Sequence, residues 1–173
     1  MDIITAIMTR RSIRRYSKRE VSEEQVMKIV KSGMAAPTSM DRRPCHFIVV
    51  RDKEKLATLS RGNQYVGMMK DSQGVILVCG DNSVEPTREN IYIDCSAAME
   101  NMLLCTHGMG LGGVWCGINS TTDWYGYVIR EFNLPEHIIP VGLMVFGYPD
   151  EQKPARDLWE TEKVHMETWN SKK

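Results

Sequence analysis

Residues 91–105 read IYIDCSAAMENMLLC, and apolar side chains stand on nearly every side of this segment if it forms a helix. Pro86 precedes it and suits the first turn of a helix, so we expect one long helix that begins at Pro86. A helix that is apolar on all sides is buried on all sides. In a chain of 173 residues, its own sheet and a second subunit are the surfaces that could cover it.

Apolar runs elsewhere predict buried strands, and helical patterns lie between them. The strands are expected at residues 46–50, 75–79, 114–118 and 141–146. Shorter helices are expected after Asp2, from the Ser22–Gln25 capping box, over 53–59, and from Thr121 or Thr122 to Phe132. This alternation predicts an α+β or α/β fold. We expect a single domain over residues 1–173, with a polar, extended C-terminal arm over about 150–173.

The overall composition is that of an ordinary globular protein. Hydrophobic residues make up 42% and charged residues 25%, which argues against disorder, collagen-like repeats and coiled coil. The 22 Lys and Arg residues balance 22 Asp and Glu residues, so a nucleic-acid partner held by bulk charge is disfavoured. No apolar run approaches the roughly 18–20 residues that span a bilayer, so we expect no membrane partner.

The five cysteines are scattered and form no C-x-x-C pair. This pattern indicates neither a disulfide framework nor a zinc site, and the histidines also lack metal-ligand spacing, so no metal is expected. Free thiols and the absence of a signal peptide favour the cytoplasm. Cys116 has no base that could be assigned to it, so packing is favoured over a nucleophilic role.

The zero net charge hides an uneven distribution along the chain. Residues 1–19 hold six basic side chains against Asp2 alone, whereas residues 81–100 hold five acidic side chains against Arg88 alone. The basic run is either a solvated face or an anion site, because arginine forks match phosphate oxygens and each charged hydrogen bond contributes about 1.5–3 kcal/mol. Ser12 would add a hydroxyl suited to a sugar or ribityl group.

Residues 108–113 read GMGLGG and contain a formal G-x-G-x-x-G. The dinucleotide fingerprint needs a strand before it and a helix after it, and here the order is reversed, so we interpret it as a helix cap and turn. The following residues, 114–117, could still bring bare backbone close to a planar ligand. With no evident acid, base or metal, an enzyme of this kind would take its chemistry from a cofactor.

With these motifs the chain resembles the nitroreductase family of FMN-dependent oxidoreductases along nearly its whole length. RRSIRRY at 10–16 is similar to the family's R-R-S-x-R-x-[FY], and APTSMDRRPCHF at 36–47 is similar to A-P-S-x-x-N-x-Q-P-W-x-F. GLGGVWCG at 110–117 resembles G-L-G-x-x-W-x-G, and Lys153–Arg156 matches a late basic motif. Each motif is weak alone, but four in the family's order make a specific signal.

The resemblance implies a three-layer α+β sandwich: a central mixed or antiparallel sheet flanked by helices, with the long helix at a dimer interface. It also implies a homodimer with FMN sites between the subunits. Hydride would pass from NADH or NADPH through FMN to a nitroaromatic, a quinone or a similar acceptor by a ping-pong mechanism. No side chain need act as a catalytic acid or base.

The resemblance also assigns the cofactor-binding residues. The phosphate and ribityl chain are expected to be held by Arg10, Arg14, Lys153 and Arg156. Ser12 is expected at the ribityl chain or the ring edge, and Arg11 is also expected to bind the cofactor. Those expected to cover the ring from the partner subunit are Pro37, Thr38, Ser39 and Met40. The backbone around Cys116 and Gly117 would lie near the reactive nitrogen of the flavin, and Asn63 or Gln64 at its pyrimidine edge. Trp115 is also expected to bind the cofactor.

Three residues depart from the family's pattern: Asp41 replaces the usual Asn, Arg43 a frequent Gln, and Cys45 a frequent Trp. These departures put the range of acceptors in doubt but not FMN binding. The alternatives are a specialised flavin enzyme of the same fold (a dehydrogenase, dehalogenase or flavin-cleaving oxygenase) and a non-catalytic flavin-binding protein. The third alternative is a colourless protein that binds RNA or membranes through a basic patch.

Overall fold

A four-stranded antiparallel sheet forms the centre of the computed structural model, which describes residues 1–169. The strands are β1 (Cys45–Val50), β2 (Gly74–Asp81), β3 (Gly112–Gly117) and β4 (Ile138–Gly147), in the order β1-β2-β4-β3. β2 and β4 lie in the middle of the sheet and are buried on both faces. Strands that are buried on both faces have continuous apolar sequences. The predicted strand positions are confirmed.

Helices cover both faces of this sheet. They are α1 (Ile3–Thr9), α2 (Glu23–Met34), α3 (Lys53–Leu59), α4 (Arg88–Gly108) and α5 (Asp123–Phe132). Side chains of β2 alternate between two apolar clusters: Leu77 packs with residues of α3 and α5, whereas Ile76 and Val78 pack with residues of α2 and α4. The molecule is therefore a three-layer α+β sandwich, and its sheet is antiparallel.

The long helix α4 differs from the prediction at its start. It begins at Arg88, with Thr87 as its N-cap, so Pro86 lies before the helix rather than in its first turn. Thr87 is in extended backbone, and its N–H donates to the Glu85 carboxylate at 2.9 Å rather than entering the helix.

Within one chain, α4 is not buried on all sides. Its sheet-facing side chains are fully buried, including Ile91 and Met99, whereas Ile93 is 65% exposed. Ala97 and Leu104, on the same side as Ile93, are only partly buried. This side of the helix is thus a mainly apolar stripe, interrupted by Glu100, that a further surface could cover.

Beyond β4 the chain continues as an arm with little regular structure. Between residues 150 and 169 it holds a single short 3-10 turn, Thr161–Lys163. Leu158, Trp159 and Trp169 on this arm are 70% exposed or more. Residues 170–173 of the predicted arm lie outside the described residues. None of the described helices combines the length and apolarity that a membrane span requires.

Candidate functional site

The start of the C-terminal arm runs beside the arginine-rich segment near the N-terminus. The Asp150 N–H donates to the Arg15 carbonyl at 2.9 Å. The Lys153 ammonium donates to the Ser12 carbonyl at 2.6 Å, although 141 residues separate the two in sequence. These bonds bring the late basic motif to the first one.

Glu151 joins the two segments most closely. Its Oε1 accepts the backbone N–H groups of Arg14 at 2.6 Å and Arg15 at 3.2 Å, and the Lys153 ammonium lies 3.3 Å away. Burial alone would raise the pKa of Glu151, but these hydrogen bonds and the Lys153 charge outweigh it and lower that pKa. Glu151 was not among the predicted site residues, because its only signal in the sequence is one carboxylate shortly before Lys153.

The two segments enclose a cavity of about 500 Å³, called here the basic cavity. Its lining residues are Ile7, Met8, Arg10, Arg11, Ser12, Arg14, Lys153, Arg156 and Leu158. Five of them are cations and none is a carboxylate, so the cavity has a positive potential suited to an anion. Arg10 also faces Glu100 at 3.4 Å, and the Arg11 guanidinium donates to the Pro154 carbonyl.

Two guanidinium groups of the basic cavity are free to bind a ligand. Those of Arg14 and Arg156 have no hydrogen-bond or ion-pair partner among residues 1–169. A planar guanidinium with its donors unused matches phosphate oxygens in paired hydrogen bonds.

A second cavity of about 570 Å³, called here the glycine cleft, adjoins the first. It is lined by Arg14, Asn63, Gln64, Tyr65, Val66, Met68, Val114, Trp115, Cys116 and Gly117. Arg14 lines both cavities. A wider groove of about 820 Å³ beside Lys18 and Lys70 shares no lining residue with either.

One side of the glycine cleft is the edge strand β3, which pairs with β4 alone among the four strands. A Cβ added to Gly117 would meet no atom within 4 Å, so bare backbone opens onto empty space there. Trp115 turns away and packs over Gly142, where an added Cβ would lie 2.4 Å from the Trp115 Nε1. A planar ring could therefore approach this backbone closely.

Cys116 lines the glycine cleft as a neutral thiol. Burial raises its pKa to about 11, so it is protonated at neutral pH and is a poor nucleophile. The cleft lining contains no histidine and no carboxylate. The arrangement can bind and orient a planar anionic ligand, but the cleft offers no obvious general acid.

The predicted ring-covering residues lie elsewhere on the same chain. Pro37–Met40 line neither cavity and instead pack on α4. The Ser39 N–H donates to the buried Asp94 carboxylate at 3.0 Å, and Arg42 pairs with the fully buried Glu85 at 2.9 Å. Two buried carboxylates therefore hold this loop against the helix, away from its own cleft.

The departures at 41 and 43 compensate each other. The Arg43 guanidinium donates to both carboxylate oxygens of Asp41, at 2.7 and 2.6 Å, and these bonds lower the pKa of Asp41. Both residues have positive φ, 55° and 54°. Asp41, which replaces the family's usual Asn, is thus paired with Arg43, which replaces its frequent Gln.

Comparisons with known proteins point to one family. The sequence profile of the nitroreductase family matches residues 7–69 and 57–148. A Methanothermobacter thermautotrophicus protein, provisionally named NADH dehydrogenase/NAD(P)H nitroreductase, is 43% identical over 98% of this chain and 88% of its own length.

Two solved structures are similar along most of the chain. The FMN-dependent nitroreductase of Clostridium difficile has a TM-score of 0.87 at 30% identity, covering 95% of this chain and 99% of its own. A provisionally named nitroreductase of Desulfovibrio desulfuricans, solved in complex with FMN, has a TM-score of 0.81 at 28% identity. The match covers 91% of this chain and 93% of that protein's chain.

Proposed function

The chain belongs to the nitroreductase family, and we propose that it passes hydride from NADH or NADPH through FMN to a small nitroaromatic or quinone acceptor. The names of its relatives support the coarser statement that it is an FMN-dependent oxidoreductase that uses reduced nicotinamide. The observation that carries the proposal is that Arg14 lines both the basic cavity and the glycine cleft. One ligand with an anionic end and a planar end could therefore occupy both.

The residues present fit the parts of FMN. Arg10, Arg14, Lys153 and Arg156 would hold the phosphate, while Arg11 and Ser12 would flank the ribityl chain. The backbone at Trp115, Cys116 and Gly117 would lie against the ring, and Asn63 or Gln64 would reach its edge. Bound FMN would supply the hydride-transfer chemistry.

The chain's own contribution is binding, orientation and positive potential. Because the thiol in the cleft is protonated and no histidine or carboxylate lines it, we assign no catalytic side chain. Donors that are already in place stabilise developing negative charge without reorganisation. A single cleft would receive the nicotinamide and the acceptor in turn, which is a ping-pong mechanism.

We further propose a homodimer in which each chain completes its partner's site. The stripe of Ile93, Ala97 and Leu104 on α4 would face the second chain, and Pro37–Met40 would cover the second chain's cleft. Ile93→Asp should therefore yield monomers, measured by analytical ultracentrifugation, that retain little FMN. A monomeric variant with full flavin occupancy would contradict the role given to the partner's loop.

The first experiment is an absorption spectrum of the purified protein before and after anaerobic NADH or NADPH. We expect a yellow protein that bleaches. A colourless protein that FMN cannot reconstitute would overturn the proposal, and a yellow one that neither donor bleaches would be a non-catalytic flavin binder. Slow steady-state turnover with both donors would instead indicate a specialised flavin enzyme.

The kinetic order is tested with menadione or nitrofurazone as the acceptor. Parallel double-reciprocal plots are expected for a ping-pong mechanism, and intersecting plots would exclude it. The five free thiols fit a reducing compartment, so we propose the cytoplasm as the location.

A further inference from the structure

Two thiols meet between β1 and α4, outside the site described above. The Sγ atoms of Cys45, the first residue of β1, and Cys95 on α4 lie 3.6 Å apart. Gly80 stands opposite Cys45 in the β1–β2 ladder, and a Cβ added there would lie 3.4 Å from the Cys95 Sγ. The missing side chain of Gly80 leaves room chiefly for Ile91, whose Cγ2 would lie 2.2 Å from the added Cβ, and the Cys95 Sγ packs beside it.

We propose that Cys45 and Cys95 form a site that reduces hydroperoxides and is converted to a disulfide in doing so. The Cys45 thiolate attacks the terminal peroxide oxygen, the O–O bond breaks, and Cys45 becomes a sulfenic acid while water or an alcohol leaves. The Cys95 thiol then attacks the Cys45 sulfur, the S–S bond forms and water leaves. Overall, two thiols lose two electrons and two protons, and the hydroperoxide gains them.

The surroundings distinguish the two thiols. Cys45 is partly exposed, whereas Cys95 is fully buried. The hydrogen bond between the two thiols lowers the pKa of Cys45, and the same bond together with burial raises the pKa of Cys95. The Asp94 carboxylate opposes ionisation of both. Cys45 is therefore the attacking thiol and Cys95 the resolving one.

The other cysteines lack this arrangement. Burial raises the pKa of Cys79 to about 12 and that of Cys116 to about 11. The Cys105 thiol donates a hydrogen bond to the Lys28 carbonyl at 3.7 Å. Among residues 1–169, Cys45 and Cys95 are the pair of cysteines with sulfur atoms in contact. Since the family's pattern often has Trp at position 45, the pair belongs to this chain rather than to the fold.

Disulfide formation would shorten the distance between the sulfur atoms from 3.6 Å to about 2.05 Å. It would also link two positions 50 residues apart in the chain. A crosslink across a loop of that length restricts the unfolded chain, so the oxidised protein should melt several degrees higher.

The test treats the purified flavoprotein with a small excess of hydrogen peroxide and then removes the peroxide with catalase. We expect the number of thiols titrated after denaturation to fall from five to three, with peptides containing Cys45 and Cys95 linked in the mass spectrum. Dithiothreitol should restore all of the thiols and the lower Tm. Five thiols after treatment, or a crosslink between two chains instead, would overturn the proposal.

Variants separate the two roles without depending on flavin activity. In Cys95→Ser, dimedone should label Cys45, because the sulfenic acid has no resolving thiol; absence of that label would refute the order of attack. Cys45→Ser should retain all of its remaining thiols under the same treatment. Cys105→Ser is the matched control, and it should form the disulfide as readily as the unaltered chain.

Discussion

Replacing Arg14 with Gln tests the observation on which the proposed function depends. Arg14 lines both the basic cavity and the glycine cleft, and its guanidinium has no partner among residues 1–169. Its contact with Glu151 uses the backbone N–H, at 2.6 Å, and survives the substitution. Arg14→Gln therefore removes a charged fork from the cavity while the segment stays in place.

The expected loss follows from the strength of charged hydrogen bonds. One such bond contributes about 1.5–3 kcal/mol, and each 1.4 kcal/mol is a factor of about ten in affinity. The Kd for FMN should therefore rise by roughly tenfold to 150-fold if Arg14 makes a single bond to the phosphate. The unfolding temperature of the FMN-free protein should change little, because the exposed guanidinium makes no bond within the described fold.

The assay is quenching of FMN fluorescence on titration with FMN-free protein. Arg15→Gln is the matched control, because Arg15 is the next residue, is exposed, and lines neither cavity. The Kd of Arg15→Gln for FMN should stay within about twofold of the Kd of the unaltered chain, as expected for an ordinary surface substitution. If Arg14→Gln binds FMN as tightly as Arg15→Gln does, the placement of the phosphate beside Arg14 is wrong.

Three further substitutions probe the surroundings of the site. Arg10→Ala should also weaken FMN binding in equilibrium dialysis, but less than Arg14→Gln does, because Glu100 at 3.4 Å already shares the charge of Arg10; unchanged retention would remove Arg10 from the phosphate site. Glu151→Gln should cost about 1–2 kcal/mol of stability at pH 7, because a charged acceptor of two N–H groups is lost. Since the folded pKa of Glu151 is lowered, that contribution is complete above the ordinary value of about 4.3 and disappears as the pH falls through the lowered pKa. Melting curves of the two proteins should converge on acidification, and a constant difference would refute this account. Gly142→Ala places a Cβ 2.4 Å from the Trp115 Nε1, so we expect about 1–3 kcal/mol of destabilisation and a shifted tryptophan emission; an unchanged Tm and spectrum would show that Trp115 moves freely.

The fold was largely predictable because its central elements are buried on both sides. β2 and β4 form unbroken apolar runs, and these runs marked both strands without any knowledge of the neighbours. The start of α4 was not predictable in this way. Pro86 satisfies the local rule for a first turn, but Thr87 is in extended backbone and the helix begins at Arg88. The backbone conformation of one residue leaves no periodic signal in the sequence.

The site was harder to predict from the sequence than the fold was. Lys153 and Arg156 stand in a polar tail and resemble solvated surface, and only the family's pattern linked them to Arg10 and Arg14. What joins them physically is Glu151 and the backbone pairing beside it, which are contacts over more than 130 residues. The Asp41–Arg43 pair could have been foreseen, since opposite charges two residues apart in a tight turn can meet.

The uneven charge along the chain now has a structural explanation in two parts. The basic residues near the N-terminus line an anion cavity, whereas the acidic residues 81–100 do not form an exposed patch of their own. Glu85 and Asp94 are buried and hold the loop that follows Pro37, and Glu100 faces Arg10. In the proposed dimer, the basic segment of one chain would bind the phosphate while the acidic segment of the other positions the loop over the ring. The basic and acidic segments would then be complementary halves of each site, contributed by different chains.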